Sequence, residues 1–366
     1  MSDENILENV DQYQGYNSIP YGPQVIRQYM HPSKYCDFQD VIHNSKTQDY
    51  VILDSRGIST WHAMTSSSRA VERVMEFEAY RFNTLRCIVY SRFYNLYFAL
   101  TKDFGINVYN LNFHEIYHID GDGGSVSRLL YNNKRHELIT VCRSKVKCWK
   151  YVIREMQPTL VLHRDFEIAE SLLLSSAEFD EELQRIYVLS DCNIYCYSTD
   201  GQLYFHMKAQ SSMAYFCVCA FSTEANLLVA GSINGQLSIY NPTGGLVTTL
   251  LNHSKIITAI AIHLKDGNMF LSSSMDGTVR LFSLQMLDEI YSINVFPEGI
   301  LFMRTHVSNL LYVASRKGVQ LYDLNYSFRF WSTARAPVRR MNVTHRVAGL
   351  RQYVCLLYTS PSPRDS

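Results

Sequence analysis

The 366-residue sequence has no excess of either charge: 34 Lys and Arg stand against 34 Asp and Glu. A chain without a basic footprint has no general attraction for nucleic acid or anionic lipid, so neither is expected as a partner beyond local patches. No run of about 18 apolar residues occurs, which excludes a transmembrane helix and insertion by one. The start, Met1-Ser-Asp-Glu-Asn-Ile6, is acidic and polar and lacks the apolar stretch of a secretory signal. Nor do the nine cysteines make a framework, being odd in number and scattered. Cys87, Cys142, Cys217 and Cys219 fall inside apolar strand-like runs, where Cys packs as a small core residue. Together these absences point to a reducing, intracellular and cytoplasmic setting.

What the chain does have is apolar material and repetition. With 47% hydrophobic residues it can bury a large core, and a closed β architecture can use the whole length as one domain. One unit recurs: an apolar run, a turn with Gly, Asn, Asp or Lys, then a short alternating strand ending in an aromatic. The closing aromatics are Trp61, Tyr109, Trp149, Tyr197, Tyr240, Phe282 and Tyr322, spaced by 48, 40, 48, 43, 42 and 40 residues. A further apolar run precedes most copies, as in Leu85–Tyr90, Val126–Leu130, Ala214–Ala220 and Ile256–Ile262. Alternation puts every second side chain on one face, and turn residues between the runs make antiparallel meanders. A four-stranded unit of this kind cannot bury both faces alone, so the units must stack around an axis and close.

The clearest copy runs from Asn252-His253 to Phe282-Ser-Leu284. It resembles the WD40 repeat, with His253 where that repeat has the His of its Gly-His dipeptide and Asp276 in the tight turn. Ser272 and Ser274 flank the usual small hydroxyl position. The resemblance implies a hydrogen-bonded tetrad inside the blade, completed by a strand Trp. Phe282 stands in place of that Trp and supplies no indole donor, and the other copies keep less. The resemblance extends over about 300 residues and implies an all-β, WD40-like β-propeller of about seven four-stranded blades. A kelch propeller is disfavoured, since Gly123-Gly124 and Gly244-Gly245 are the only paired glycines.

The expected organisation is a flexible segment over residues 1–20 and the propeller over 21–331. Gln24–Tyr29 is expected to supply the outer strand that closes the ring. Residues 332–354, which include Ala336–Val343, read as the start of a further blade or of a second propeller. Cys355–Ser366 resembles the translation of a transposase-type sequencing adapter, so residues 355–366 are expected to be a non-native tail, with the natural chain continuing past about Val354.

Five features invite a chemical or binding role. His114-Glu-Ile-Tyr-His118 has the zincin pattern, but it falls where an outer strand is expected. That pattern needs a helix to bring both imidazoles to one zinc; on a strand they stand roughly 13 Å apart. Asp120-Gly-Asp-Gly-Gly-Ser125 lacks the Gly-Lys of a phosphate loop and the distal Glu of a calcium loop, so it reads as a turn between blades. Cys192/Cys196 and Cys217/Cys219 lack the second pair of a zinc site, and Cys217 and Cys219 should share one strand face. His253 with Asp276 could serve as a base, yet no nucleophile elbow accompanies them. Arg335, Arg339, Arg340 and Arg346 form a basic cluster without the interleaved aromatics of a nucleic-acid platform.

No catalytic, cofactor or metal site is therefore expected. The function read from the sequence is a non-catalytic scaffold for other proteins, its 26 tyrosines giving weak support. Alternatives are an architectural subunit of a ciliary, axonemal, cytoskeletal or coat assembly, and a propeller enzyme whose polar groups converge unseen from distant repeats.

Overall fold

The period-2 pattern of each repeat becomes two buried faces rather than one. In the strand Asp49–Asp54, Tyr50 and Ile52 pack into one apolar cluster while Val51 and Leu53 pack into another. A computed structural model of the chain describes residues 24–30, 38–62, 71–77, 85–120, 126–168, 174–209, 214–264, 266–306 and 310–324. These residues form 28 strands in seven four-stranded antiparallel sheets, each strand pairing with its sequence neighbour except at the closure. The blades span residues 38–76, 85–119, 126–167, 174–208, 216–250 and 257–294, and the seventh is completed across the chain.

Seven apolar clusters hold the ring, one between each pair of adjacent blades. The second strands are buried along their whole length: Leu96–Thr101, Glu137–Cys142 and Met269–Ser274 are buried at every position because both faces are covered. The outer strands meet solvent on one side and alternate, as in Val71–Glu76. The ring closes through Gln24–Met30, which pairs antiparallel with Gly318–Asp323 as the outermost strand of blade 7. The closing seam also buries Phe38, Val41, Tyr50 and Trp61 of blade 1 against Leu310, Tyr312, Val319 and Leu321 of blade 7.

Two devices repeat that the sequence pattern left unseen. The last residue of an innermost strand caps the turn that follows: Asn44, Ser91, Asn132, Asp180 and Ser222 each accept a backbone N–H two or three residues on. Several also reach the next blade, Asn44 and Ser91 donating to the hydroxyls of Tyr97 and Tyr131. The second device is a bulge near the start of six innermost strands. In blade 5 it falls between Phe216 and Val218, and it overturns the expectation that Cys217 and Cys219 share a face. The extra residue reverses the alternation, so Cys219 packs toward blade 4 and Cys217 toward blade 6.

Residues 1–20, 332–354 and 355–366, with the arginine cluster after blade 7, lie outside the described residues. So does most of the Asp120–Ser125 turn, whose flanking strands belong to blades 2 and 3.

Candidate functional site

Among the described residues polar side chains converge at several places, among them the buried Glu137 of blade 3 with Arg164, Lys150 and His163. Two bear on the expected tetrad and on the ring, one inside blade 6 and one around the axis. In blade 6, His253 precedes the innermost strand Ile257–Ile262, and Asp276 occupies the turn between Met269–Ser274 and Thr278–Ser283. The imidazole joins them: Nδ1 lies 2.9 Å from Asp276 Oδ2 and Nε2 lies 2.7 Å from Ser272 Oγ. Asp276 also accepts the Ser254 and Thr278 backbone N–H groups and the Thr278 hydroxyl. Burial alone would raise the Asp276 carboxyl, but the bonds from His253 and Thr278 and the histidine charge hold it well below the usual range. Gly277 permits the turn: at φ +89°, a Cβ there would sit 2.2 Å from the Phe296 carbonyl oxygen.

Ser272 is thus the hydroxyl bonded to the imidazole. Ser274 instead donates to the Lys255 carbonyl and accepts the Asp276 N–H, fastening the turn. Phe282 lies opposite Phe270, the rings stacked at 4.9 Å. Connected in this order, Asp276, His253 and Ser272 have the linkage of a hydrolytic triad. Their setting denies that chemistry. The His253 side chain is wholly buried and Ser272 lies in mid-strand with no exposed surface, so no carbonyl can approach the hydroxyl.

The other closing aromatics all lie on third strands. Trp61, Tyr109, Tyr197, Tyr240 and Tyr322 are buried, while Trp149 is half-buried. Blade 3 keeps one bond that blade 6 lacks: Trp149 Nε1–H donates to Thr140 Oγ1 at 3.0 Å. The registers match, Leu138 facing Trp149 as Phe270 faces Phe282, and Thr140 standing where Ser272 stands.

The second convergence was invisible in the sequence. Asp40 of blade 1, nearly buried, accepts the backbone N–H groups of Val41 and, from blade 2, Ile88. It also pairs with Arg304 of blade 7 at 3.3 Å, so one carboxylate ties three consecutive blades. Arg128 of blade 3 and Glu178 of blade 4 form a second pair at 3.8 Å. Burial raises the Glu178 carboxyl against the pull of both arginines. All four side chains come from innermost strands, which face the axis. Beside them, burial and the Asp40 charge push the Cys87 thiol up to about 11, which leaves little thiolate for nucleophilic chemistry. Cys217 is likewise pushed up to about 12 by burial, its Sγ bonded to the Ile257 carbonyl.

The zincin-like string lies on the outermost strand of blade 2, Glu115–Ile119, with His114 just before it. His118 bonds Asn107 at 2.6 Å and Asp120 at 3.0 Å instead of facing His114 across a helix turn. Among the described residues, no group of three or more His, Cys, Asp or Glu side chains is placed to hold a metal ion. Among the same residues, no helix is long and apolar enough to cross a membrane.

With seven closed blades and this blade 6 arrangement, the chain is a β-propeller of the WD40 type. Residues 244–283 match the family model "WD domain, G-beta repeat". No curated protein matches the chain in sequence. Among solved structures, the WD40 β-propeller domain of Doa1 is similar at 17% identity and a TM-score of 0.65, with 84% of this chain and 99% of that one covered. A chain of the mitotic checkpoint complex is similar at 13% identity and a TM-score of 0.66, covering 84% and 97%. Likeness at these identities carries the fold alone.

Proposed function

We propose that this protein is a non-catalytic scaffold that holds other proteins. The observation that carries the reading is how its convergent polar groups are used. His253, Asp276 and Ser272 are sealed and bonded to one another, and the axial carboxylates and guanidiniums are paired between blades. Such groups fix the ring, and none of these described side chains is left as an activated acid, base or nucleophile facing a substrate. What the ring offers instead is two rigid ends crowded with turns, where partner contacts belong on a propeller. The seven described cysteines are free thiols, four of them buried, which supports a reducing intracellular setting.

The test is affinity purification of the full chain followed by reconstitution from purified components. A stoichiometric complex that re-forms from its parts supports the scaffold; hydrolytic or redox turnover by the purified protein alone contradicts it. Co-fractionation with an axoneme or coat, rather than with soluble proteins, would assign the narrower architectural role.

A further inference from the structure

Each blade holds its outermost strand through a single backbone ladder, to the third strand. Among the described residues, six blades add a side-chain tie. In blades 1 and 3 an arginine of the outermost strand reaches a buried carboxylate of the second: Arg73 donates to Asp54 at 3.0 Å, and Arg164 donates to Glu137. In blade 4 the ties are rings. His206 stacks on Tyr195 at 4.5 Å, and the Arg185 guanidinium lies over Tyr204 at 5.1 Å. In blade 7 Tyr29 packs against Phe38 and Trp61 of blade 1.

Blades 2 and 6 share one design. A bulge where the outermost strand passes the closing aromatic sets a glutamate opposite that ring: Glu115 faces Tyr109, and Glu289 faces Phe282. The donor stands two residues before the aromatic. In blade 2, Asn107 Nδ2 donates to Glu115 Oε2 at 3.0 Å and to Tyr109 Oη at 2.8 Å, while His118 bonds Asn107 Oδ1 at 2.6 Å. Glu115 and His118 of the zincin-like string are thus both spent on one asparagine. In blade 6, Arg280 Nη1 donates to Glu289 Oε2 at 2.7 Å, and the same oxygen accepts Asn252 Nδ2 at 2.6 Å.

Blade 5 has the bulge and the tyrosine without the tie. Tyr240 faces Leu246, and the residue two before it is Ser238, whose hydroxyl accepts Gln236 Nε2 instead. No side chain of the outermost strand Leu246–Leu250 makes a hydrogen bond, ion pair or ring contact with a described residue. Ladder length does not separate the two cases. Blades 2 and 5 each align four residue pairs between their third and outermost strands.

We infer that these side-chain ties are latches, and that the outermost strand of blade 5, which has none, is where the ring opens locally. With equal ladders, the strand that must also break side-chain bonds detaches at the higher free energy. Detachment in blade 5 leaves the ring closed, because its inner three strands fill the seams on either side. Cys219, Leu228, Ala230 and Tyr240 pack toward blade 4, and Val218, Val229, Leu237 and Ile239 toward blade 6. It bares the edge of the third strand, Leu237–Tyr240.

Native-state hydrogen exchange on the full chain tests this, with each amide corrected for its intrinsic rate. Amides of Leu246–Leu250 that bond the third strand should be protected about tenfold less than those of Glu115–Ile119. Glu115→Ala, at an exposed position, should lower protection over residues 116–119 toward the blade 5 value and leave the urea midpoint unchanged. Ser238→Asn/Leu246→Glu places the blade 2 latch beside Tyr240 and should raise protection of the blade 5 strand about tenfold, a gain that mere disruption could not produce. Equal protection of the two strands in the parent overturns the inference. So does Glu115→Ala with protection unchanged, and so does a folded double variant that protects the blade 5 strand no better than the parent. If the double variant fails to fold, the parent comparison and Glu115→Ala decide.

Discussion

Blades 3 and 6 divide one hydrogen-bonded device between them. Blade 6 keeps the polar side, with Asp276, His253 and Ser272 joined through the imidazole, and replaces the indole by Phe282. Blade 3 keeps the indole side, with Trp149 donating to Thr140. The strand opposite compensates for the change in bulk: Phe270 faces Phe282, whereas the smaller Leu138 faces Trp149. A blade can therefore be fixed by either half, provided that the volume between its second and third strands is filled. The aromatic position is a packing position first and a donor position second.

The largest effect is expected from removing the shared imidazole. His253→Ala leaves Ser272 without its imidazole partner and strips one hydrogen-bond donor from the nearly buried Asp276. It should cost about 2–3 kcal/mol of unfolding free energy, measured by urea titration. A smaller effect of opposite lesson comes from adding the missing indole. Phe282→Trp should destabilise by about 2 kcal/mol through overpacking against Phe270. The pair Phe270→Leu/Phe282→Trp should recover most of that loss, because it reproduces the blade 3 geometry and gives Ser272 a donor. A double variant no better than Phe282→Trp alone would break the comparison.

Trp149→Phe should cost about 1 kcal/mol, the bond to Thr140 being half-buried and exchangeable with water. Acid titration separates the blades in another way. Because Asp276 is held below its unfolded value, near 3.9, its contribution is complete above that value and is lost as pH falls through and below it. Asp276→Asn should flatten that part of the stability curve, whereas Trp149→Phe should leave its shape alone. The smallest effect is expected at the axis. Glu178 is raised by burial, so its charged form is disfavoured in the fold at neutral pH. Glu178→Gln should raise stability by less than about 1 kcal/mol at pH 7, since its side chain is still 31% exposed.

Legibility in the sequence followed how local each feature is. The blades were readable because a strand, its turn and its closing aromatic fall within one repeat of about 40 residues, and each copy reinforces the next. The blade 6 trio was readable for the same reason: His253, Ser272 and Asp276 lie within 24 residues. The axial pairs were not, because their members come from blades 1, 3, 4 and 7. Asp40 and Arg304 are 264 residues apart, and nothing in either repeat marks them as partners. The turn caps Asn44, Ser91, Asn132, Asp180 and Ser222 did carry a signal, a short polar residue at the same point of five repeats. The Cys217 bulge had no such mark, since an extra residue in one strand shows only once its partner strand is aligned.

Convergent polar residues in this ring act as structural units. A double-mutant cycle on His253→Ala and Asp276→Asn, followed by urea unfolding, tests this most directly. The expected coupling free energy is about 1–2 kcal/mol, because each residue's contribution depends on the other. Losses that add with no coupling would mean that His253 and Asp276 are independent, and would contradict the claim.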